Sequence, residues 1–508
     1  MGNKLCDSGK SNKASEYYAE EDPRDYNPCE TYIKLGDKLY SQAKTEQNES
    51  LLKEAFDKYD KAAKLELGVN WPLVAWGEAL YDIAKIKQDE SSFEKALYKY
   101  NEARDVEWNE FISIKQGIIL ANLAEIKQNK NLDKEAREDL KKAKKNFKET
   151  GKSILEIFAY FDKEEEVEAE LIIKTGVLYP LLNSSTEDGK FFNEATKNIS
   201  RKKLKKYKEI YIRSVFIISK LRMNREYETS VAHYTKKTTA KELLFNKLEF
   251  RLYAINDSND PTEGKTLLDY LFKNKYSEEE KSDTEYRAFA GCFTFKLDNL
   301  SQFRLYGKDQ NQEGTGLSLV FREDFFCKGS KMPTEKDGKK ERWLIDYVSG
   351  IKDEKYTLFR CIYIDPRERQ VKTVGQSEIT DEKYKEYIDG VFHTVNEKME
   401  KLRDLITQNP DLSKNVIEQL LINLRYLTKH TAFKEEQECR IVRICSINEG
   451  KIEFNEDKMY IEYESDVIPQ IEKIYFGPKA TNMESFQDRL TVELKCKIKC
   501  EKSTNPLA

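Results

Sequence analysis

Hydrophobic positions recur with a helical period up to about residue 228 and alternate with polar positions from residue 231 onward. A helical period places residues i, i+3, i+4 and i+7 on one face, whereas alternation places every second side chain on one face of a strand. The pattern therefore predicts an all-α part followed by an α+β part. We expect a flexible tail over 1–28, helical repeats over 29–150, further helices over 151–228 and an α+β domain over 229–508.

Three segments of the all-α part align without gaps, starting at Leu35, Trp76 and Gln116, so the repeat length is 41 and then 40 residues. Each segment has a small residue in its first half, and its second half has an alanine followed by a large residue at +4 and another alanine at +7. These three positions share one helical face, and the small residue leaves room for close helix contact. The equivalent positions are Gly36, Gly77 and Gly117, then Ala55, Ala96 and Ala136, then Tyr59, Tyr100 and Leu140, and then Ala62, Ala103 and Ala143.

These helix-turn-helix units resemble tetratricopeptide repeats, although each is longer than that family's unit of about 34 residues. The resemblance covers roughly residues 29 to 150. It implies a helical solenoid, in which each unit buries its apolar face against its neighbours. It also implies a protein or peptide partner on the concave face. An elongated helical bundle is the alternative architecture.

A basic segment at 201–213 lies within the further helices. It either forms the solvated face of an amphipathic helix, opposite Ile210, Val215 and Phe216, or offers a surface for nucleic acid or phosphate. The basic residues are Arg201, Lys202, Lys203, Lys205, Lys206, Lys208 and Arg213.

The second part alternates strand and helix patterns. Two long helical patterns and a series of short strands predict an α+β domain with a mainly antiparallel sheet. Thr239 to Glu242 has the spacing of a capping box, and 329–340 has the composition of an exposed loop. Beside a first strand near Val231 and a second near Arg251, the predicted strands are 290–295, 314–321, 358–364, 439–447, 472–478 and 492–500, and the predicted helices are 237–247, 264–273, 381–408 and 411–430.

Five short motifs occur in order over about residues 229 to 480. They are HYT at 233–235, NDPTE at 259–263, FRLYGKDQNQEGTGLSLVF at 303–321, KHTAFKEEQECRIV at 429–442 and IYFGP at 474–478. This ordered set resembles a bacterial family of domains of unknown function, some of which follow tetratricopeptide repeats. The chain has Phe303-Arg304 where the family carries a tryptophan. The resemblance implies no established reaction.

Composition excludes several classes of protein. Apolar residues make up 39% of the chain, and the net charge of −4 gives no overall electrostatic case for nucleic-acid binding. No run of 18 apolar residues predicts a membrane span, and the N-terminus lacks the apolar core of a signal peptide. The nine cysteines are scattered, so we expect reduced thiols, no metal site and a cytoplasmic protein.

The order of polar residues along the predicted strands resembles ADP-ribosyltransferase-like domains. Those domains place His or Arg on an early strand, an aromatic residue on the next strand and a glutamate on a late strand. The resemblance implies that the site binds NAD and that a carboxylate stabilises the positive charge that develops on the ribose as nicotinamide leaves. It also implies that the two glutamates act together, since residues i and i+2 of a strand share a face. The matching residues are His233, Tyr234, Arg251 and Tyr253 for the cofactor, and Glu438, Glu436 and again His233 for catalysis.

Each candidate also has a purely structural interpretation. His233 fits a core histidine bonded to backbone, and Arg251 fits an ion pair with Asp260 or Glu263. Glu438 and Arg440 fit a structural ion pair at a sheet edge.

Two further features have structural alternatives of the same kind. His430 fits a helix-end residue, and Gly314-Thr315-Gly316 fits a turn or bulge rather than a phosphate site. Motifs of nucleophilic hydrolases, phosphate-binding loops and zinc proteases do not occur. Two functions therefore stay open: an enzyme of the ADP-ribosyltransferase type, and a non-catalytic protein that binds or senses a partner.

Overall fold

The computed structural model describes a large part of the chain. The described residues are 28–46, 48–65, 70–87, 90–106, 110–129, 131–132, 134–136, 138–139, 187–224, 227–246, 248–255, 263–272, 286–308, 312–326, 357–448, 450–463, 467–495 and 498–505. Several sequence predictions concern residues outside these ranges. They are the tail before residue 28, Leu140 and Ala143 of the third repeat, the further helices as far as residue 186, the motif residues 259–262 and the loop at 329–340.

The chain forms two compact units, residues 1–150 and 151–508. The first unit is helical over its described residues, and five successive helices of it pack against their neighbours along the chain. These helices are α1 (Pro28–Glu46), α2 (Glu49–Leu65), α3 (Trp71–Lys87), α4 (Glu90–Val106) and α5 (Glu110–Lys127).

Glycine and tyrosine join the two helices of each of the first two repeats. A Cβ atom at Gly36 of α1 would lie 2.7 Å from Cε1 of Tyr59 on α2, and one at Gly77 of α3 would lie 3.0 Å from Cε2 of Tyr100 on α4. The tyrosine hydroxyl then donates a hydrogen bond to the acid after the glycine, at 2.6 Å in the case of Tyr59 and Asp37. The predicted close contact at the small residue is therefore confirmed in both repeats.

The second unit combines helices with two sheets. Its helices are α6 (Glu187–Ala195), α7 (Arg201–Lys220), α8 (Lys237–Phe245), α9 (Thr266–Phe272), α10 (Leu300–Leu305), α11 (Glu382–Thr407), α12 (Lys414–Leu420), α13 (Ile422–Tyr426) and α14 (Met483–Leu494). Its strands are β1 (Ser230–Thr235), β2 (Phe250–Ala254), β3 (Tyr286–Thr294), β4 (Leu317–Arg322), β5 (Phe359–Arg360), β6 (Ile362–Asp365), β7 (Gln370–Val374), β8 (Thr428–His430), β9 (Glu438–Ser446), β10 (Glu453–Asn455), β11 (Lys458–Tyr463), β12 (Ile471–Phe476) and β13 (Lys499–Lys502).

The main sheet follows the order β10-β11-β2-β3-β1-β4-β12-β13, and β9 joins β3 to β5. Three further strands form a small sheet in the order β7-β6-β8. Among the described strands every pairing is antiparallel except β12–β13 and β6–β8, so the sheet is mixed and mainly antiparallel. An apolar core covers one face of the main sheet and includes a cluster of phenylalanines, among them Phe250, Phe293 and Phe325.

Helix α7 is part of the second unit. Its Tyr207 hydroxyl accepts a hydrogen bond from the backbone N–H of Ser413, and its Lys203 lies 3.0 Å from the Asp411 carboxylate. Its apolar face packs against α11, α12 and α13. The charged residues split between two environments, because Lys208 and Arg213 are buried whereas Arg201, Lys202 and Lys205 are exposed.

Three predictions of local structure are wrong. Helix α8 begins at Lys237 after an extended Lys236, so Thr239 lies inside the helix and makes no cap. The predicted helix 411–430 is interrupted near Leu421, and its end forms strand β8, which pairs with β6. The predicted strand 492–500 contains the end of α14, which terminates at Lys495 with a φ of 53°. In the last two cases a short periodic pattern extends across a change of backbone conformation.

Candidate active site

The main sheet divides at one edge of β3. Ala232 of β1 lies opposite Thr294 at one end of β3, whereas Tyr253 and Ala254 of β2 lie opposite Ala290 and Phe289 towards the other end. Residues 291–293 therefore pair with neither β1 nor β2. On the opposite edge, β9 pairs along the whole length of β3. Gly291 suits this position, because a Cβ there would lie 2.8 Å from the Leu252 side chain. The result is an opening in the sheet between β1 and β2.

A cavity of about 870 Å³ occupies this opening. That size falls within the range of roughly 300–1,000 Å³ that small-molecule sites have. All six candidate residues line it, together with several that sequence reasoning missed. The candidate residues are His233, Tyr234, Arg251, Tyr253, Glu436 and Glu438, and the missed ones include Cys292, Tyr306, Lys429 and Arg440.

His233 is bonded to the backbone and also reaches the cavity. Its Nδ1 lies 2.9 Å from the carbonyl oxygen of Cys292. A carbonyl only accepts, so Nδ1 carries the proton and Nε2 is the unprotonated nitrogen. Burial lowers the pKa of His233, although the backbone hydrogen bond opposes the shift, and the ring is therefore neutral at pH 7. Among the described residues no group bonds to Nε2, which can accept a hydrogen bond from a ligand.

His233 and Glu438 point to opposite faces of the sheet. The register places Ala232, Thr294 and Glu438 in one row across β1, β3 and β9, so these three share a face. His233 follows Ala232 and contacts the rings of Phe250 and Phe293 on the other face. The two residues nonetheless line one cavity, because the opening between β1 and β2 joins the two faces. Sheet alternation alone would have separated them.

The hydroxyl of Tyr234 makes hydrogen bonds within the fold. Its hydroxyl donates to the carbonyl oxygen of Lys296 at 2.9 Å and accepts from the backbone N–H of Asn299 at 2.8 Å. Its ring meets Phe303 edge-on. Burial raises the pKa of this hydroxyl well above its ordinary value. Tyr234 therefore shapes the wall of the cavity and offers no free hydroxyl to a ligand.

Arg251 and Tyr253 line the β2 side of the cavity. The guanidinium of Arg251 lies 4.2 Å from the centre of the Tyr460 ring, and its buried Nε has no hydrogen-bond partner. The expected ion pair between Arg251 and Glu263 is wrong, because Glu263 pairs with Arg440 instead. The other expected partner, Asp260, lies outside the described residues.

Glu436 and Glu438 meet through a lysine and not through strand alternation. Glu436 ends a short 3-10 helix, Gln437 has a left-handed backbone with a φ of 47°, and Glu438 begins β9. Lys429 of β8 donates to both carboxylates, at 2.5 Å in the case of Glu438 Oε2. The two carboxylates lie together, but the expected reason, a shared strand face, is wrong, because only Glu438 lies on a strand. That the two glutamates act together stays a prediction.

Arg440 completes this buried cluster. Its guanidinium donates to Glu438 Oε1 at 2.7 Å and to Glu263 Oε1 at 2.6 Å. The ion pair of Glu438 with Arg440 therefore forms as expected, but β9 lies between β3 and β5 and not at an edge. Burial alone would raise the pKa of Glu438, but Arg440 and Lys429 lower it well below its ordinary range. Glu438 is a carboxylate at any physiological pH.

The cluster carries an uncompensated negative charge. Three carboxylates face two cations, and each of the five side chains is less than 10% exposed. Buried charges are ordinarily paired, so a surplus carboxylate beside a cavity favours a positive charge on a ligand. The hydroxyl of Tyr306 adds a hydrogen bond to Glu436 Oε1 at 3.0 Å, although that tyrosine is half exposed.

The other polar motifs have structural roles. His430 ends strand β8 and accepts the backbone N–H of Ala432, so it caps the start of the 3-10 helix and does not end a helix over 411–430. Gly314 has a φ of 73°, and a Cβ at Gly316 would lie 2.5 Å from Cα of Gly307. The backbone N–H of Gly477 donates to the Gly316 carbonyl oxygen at 2.9 Å. The turn interpretation of the glycine motif is therefore confirmed.

Neither a membrane-spanning helix nor a cluster of metal ligands occurs in the described part of the chain. Over those residues no helix is both long enough and apolar enough to cross a bilayer. Nor do His, Cys, Asp and Glu side chains form a group of three or more there that could hold a metal ion.

Fold and site together define an α+β unit with a divided sheet and a charged cavity at the division. Residues 302–441 match the model of a family described as Protein of unknown function (DUF2971). No curated protein and no solved structure matches the chain. The matched range contains Tyr306, Lys429, Glu436, Glu438 and Arg440, whereas β1 and β2 precede it. The matched range therefore includes four of the five residues of the carboxylate cluster but not Glu263, and it does not include His233 or Arg251.

Proposed function

We propose that the second unit binds NAD in the cavity and transfers ADP-ribose from it. The observation that carries the proposal is the surplus carboxylate of the cluster, in the same cavity as the neutral imidazole of His233 and the guanidinium of Arg251. In this reaction the bond between ribose C1′ and the nicotinamide nitrogen breaks, and its electron pair stays with nicotinamide. Water or an acceptor side chain then forms a bond to C1′ and loses its proton to solvent.

The cluster suits the charge that this step creates. As nicotinamide leaves, positive charge develops on the ribose, and a fixed negative charge in a site shielded from water stabilises it. Glu438 needs no proton for this role, in accordance with its lowered pKa. In this proposal the unprotonated Nε2 of His233 accepts a hydrogen bond from a ribose hydroxyl.

For the first unit we propose a docking role for a protein or peptide in a bacterial cytoplasm. The support is the resemblance to tetratricopeptide repeats and the repeated contact of glycine with tyrosine in two successive helix pairs. A helical unit of this kind would bring the acceptor to the second unit.

A second candidate function is a sensor that binds a nucleotide and does not cleave it. The observation that favours it is that both oxygens of Glu438 are already held, Oε1 by Arg440 and Oε2 by Arg440 and Lys429. A carboxylate with few free lone pairs suits electrostatic stabilisation but limits direct contact with a ribose hydroxyl.

The test measures nicotinamide release from NAD by the full-length chain. Glu438→Gln keeps the shape and removes one negative charge. Lys429 still has Glu436 and Arg440 still has Glu263, so we expect the fold to persist. We expect turnover to fall by about a hundredfold or more, the usual effect of losing a central electrostatic group.

The matched control is Glu435→Gln, because Glu435 is next to Glu436 but its side chain is 76% exposed. We expect this variant to retain wild-type turnover. Binding of NAD without nicotinamide release would favour the sensor. Absence of NAD binding would contradict the transferase and a sensor of NAD.

A further inference from the structure

Arg251 is a cation that lines the cavity and has no ionic partner among the described residues. Its partner in the pairing of β2 with β11 is Glu462, so an acidic residue lies directly opposite it. The guanidinium nevertheless lies against the ring of Tyr460. Among the described residues Arg251 makes no ion pair and no hydrogen bond, and its Nε is buried.

Arg360 shows how this chain treats an arginine with a structural role. It is fully buried, and its two terminal nitrogens both donate to Glu228, at 2.9 and 2.7 Å. One of them also donates to the carbonyl oxygen of Gly375. The Nε of Arg360 is buried without a partner just as that of Arg251 is, so the two arginines differ at their terminal nitrogens. Among the described residues the terminal nitrogens of Arg251 have no acceptor, although Glu462 lies opposite on β11. A ligand therefore explains the position of Arg251 better than the fold does.

The hairpin of β10 and β11 adds a second cation to the same wall. Asn455, Glu456 and Lys458 surround its turn and line the cavity. Lys458 makes no ion pair among the described residues. Two acids, Glu249 and Glu456, line the cavity as well, and neither is within ion-pair distance of Arg251.

Tyr460 holds Arg251 in place. Its hydroxyl donates to Glu453 Oε2 at 2.6 Å, which fixes the ring as a platform under the guanidinium. The hairpin is further joined to β2 by the amide of Asn455, which lies 3.4 Å from the Tyr253 hydroxyl. An arginine stacked on an aromatic face keeps its N–H edge free to bind a phosphate with two parallel hydrogen bonds.

We propose that Arg251 and Lys458 form an anion subsite for the diphosphate of a nucleotide, with Tyr460 as the positioning residue. The subsite lies on the β2 side of β3, and the carboxylate cluster lies on the β9 side. A ligand that suits both walls carries an anionic group and, at some distance from it, a positive charge, as NAD does with its diphosphate and its nicotinamide ring. The proposal rests on the proposed function for the identity of the ligand, but binding of a diphosphate tests it without any turnover.

The experiment uses calorimetric titration of the full-length chain with ADP-ribose, inorganic pyrophosphate and nicotinamide. We expect Arg251→Met to weaken ADP-ribose binding about tenfold or more, where tenfold corresponds to about 1.4 kcal/mol. Lys458→Met should weaken it less, because that side chain is exposed. Nicotinamide has no phosphate, so its affinity should stay within about twofold in both variants, because the subsite contacts only the anion.

Arg443→Met is the matched control, because Arg443 is a partly buried arginine on β9 that does not line the cavity. It should bind ADP-ribose like the wild type. Tyr460→Phe keeps the ring but loses the hydrogen bond to Glu453, so it should weaken binding less than Tyr460→Leu, which should resemble Arg251→Met. Arg251→Lys should restore part of the affinity that Arg251→Met loses, which a merely misfolded variant would not show.

Wild-type affinity in Arg251→Met, or no binding of ADP-ribose or pyrophosphate by the wild type, would overturn the subsite. Failure of the subsite can be distinguished from failure of the proposed reaction. Binding of ADP-ribose that depends on Arg251 without nicotinamide release supports the subsite and contradicts the transferase. Nicotinamide release that Arg251→Met leaves unchanged supports the transferase and contradicts the subsite.

Discussion

Three arginines of the second unit have three different environments, and the partners decide the role of each. Arg440 holds two carboxylates beside the cavity, and Arg360 is buried with Glu228. Within the described ranges Arg251 contacts an aromatic ring and no carboxylate. Burial alone would lower the pKa of Arg360, but the Glu228 carboxylate raises it above its ordinary value. The residue type is the same in all three cases, so composition cannot distinguish them.

The pair of Arg360 and Glu228 leads to a prediction about stability. Arg360→Met leaves the Glu228 carboxylate buried with only the Tyr384 hydroxyl and the Asn224 backbone N–H as hydrogen-bond donors. An unpaired buried charge costs about 3–5 kcal/mol, so we expect the free energy of unfolding to fall by that amount. Urea denaturation followed by circular dichroism measures it.

Lys385→Met is the control for that prediction, because Lys385 pairs with Glu382 on the surface at 2.6 Å. Exposed pairs contribute about 0–1 kcal/mol, so this variant should unfold almost like the wild type. Equal losses in the two variants would contradict the structural role of the buried pair.

At the scale of elements, close helix contact explains the spacing that the first two repeats of this chain share. The rings of Tyr59 and Tyr100 pack against Gly36 and Gly77 and are buried between the helices. The alanines Ala55 and Ala96 are fully buried. Small residues at these positions therefore set the distance between the helices of each pair.

Gly36→Ala tests this contact. Alanine favours a helix over glycine by about 1 kcal/mol, but the new methyl group would overlap the buried ring of Tyr59, which costs about 1–3 kcal/mol. We expect a net decrease in the free energy of unfolding of about 1 kcal/mol. Denaturant titration of the purified chain, read by far-UV circular dichroism, gives the value.

Gly390→Ala is the opposite case, since Gly390 lies on the exposed side of α11 and a Cβ added there would have no neighbouring atom within 4 Å. It should raise the free energy of unfolding by up to about 1 kcal/mol. A stabilising effect of both substitutions would show that Tyr59 can move aside.

At the scale of the whole molecule, the boundary between the two units falls well before the first strand. Helix α7 precedes β1 in the chain but packs on α11, α12 and α13. Its buried side chains include Ile210, Ile212 and Phe216. Each buried side chain of this size contributes about 1.5–3 kcal/mol, so the helix is a major part of the core of the second unit.

Two fragments test this boundary. A fragment of residues 187–508 keeps α7 and should unfold cooperatively, whereas one of residues 229–508 exposes the apolar surface that α7 covers. Since a domain has only about 5–15 kcal/mol of net stability, we expect the shorter fragment to unfold at a much lower temperature or to aggregate. Thermal unfolding by circular dichroism compares them, and equal transitions would show that α7 contributes little.

The sequence alone determined the elements whose signals are local. The repeats and the contact of glycine with tyrosine follow from residues within one helix pair, and α11 matches the predicted helix 381–408 closely. The six candidate residues also came from local strand patterns, and all of them line the cavity. Periodicity reports the conformation of neighbouring residues, so these features are readable along the chain.

Only the tertiary structure decided how the site is connected. Arg440 pairs with Glu263, which lies 177 positions earlier, instead of leaving Glu263 to Arg251. Lys429 joins Glu436 to Glu438 because β8 pairs with β6 beside the end of the 3-10 helix. The divided edge of β3 places His233 and Glu438 in one cavity although they point to opposite faces. Strand order and register depend on contacts across the whole unit, and no pattern of neighbouring residues specifies them.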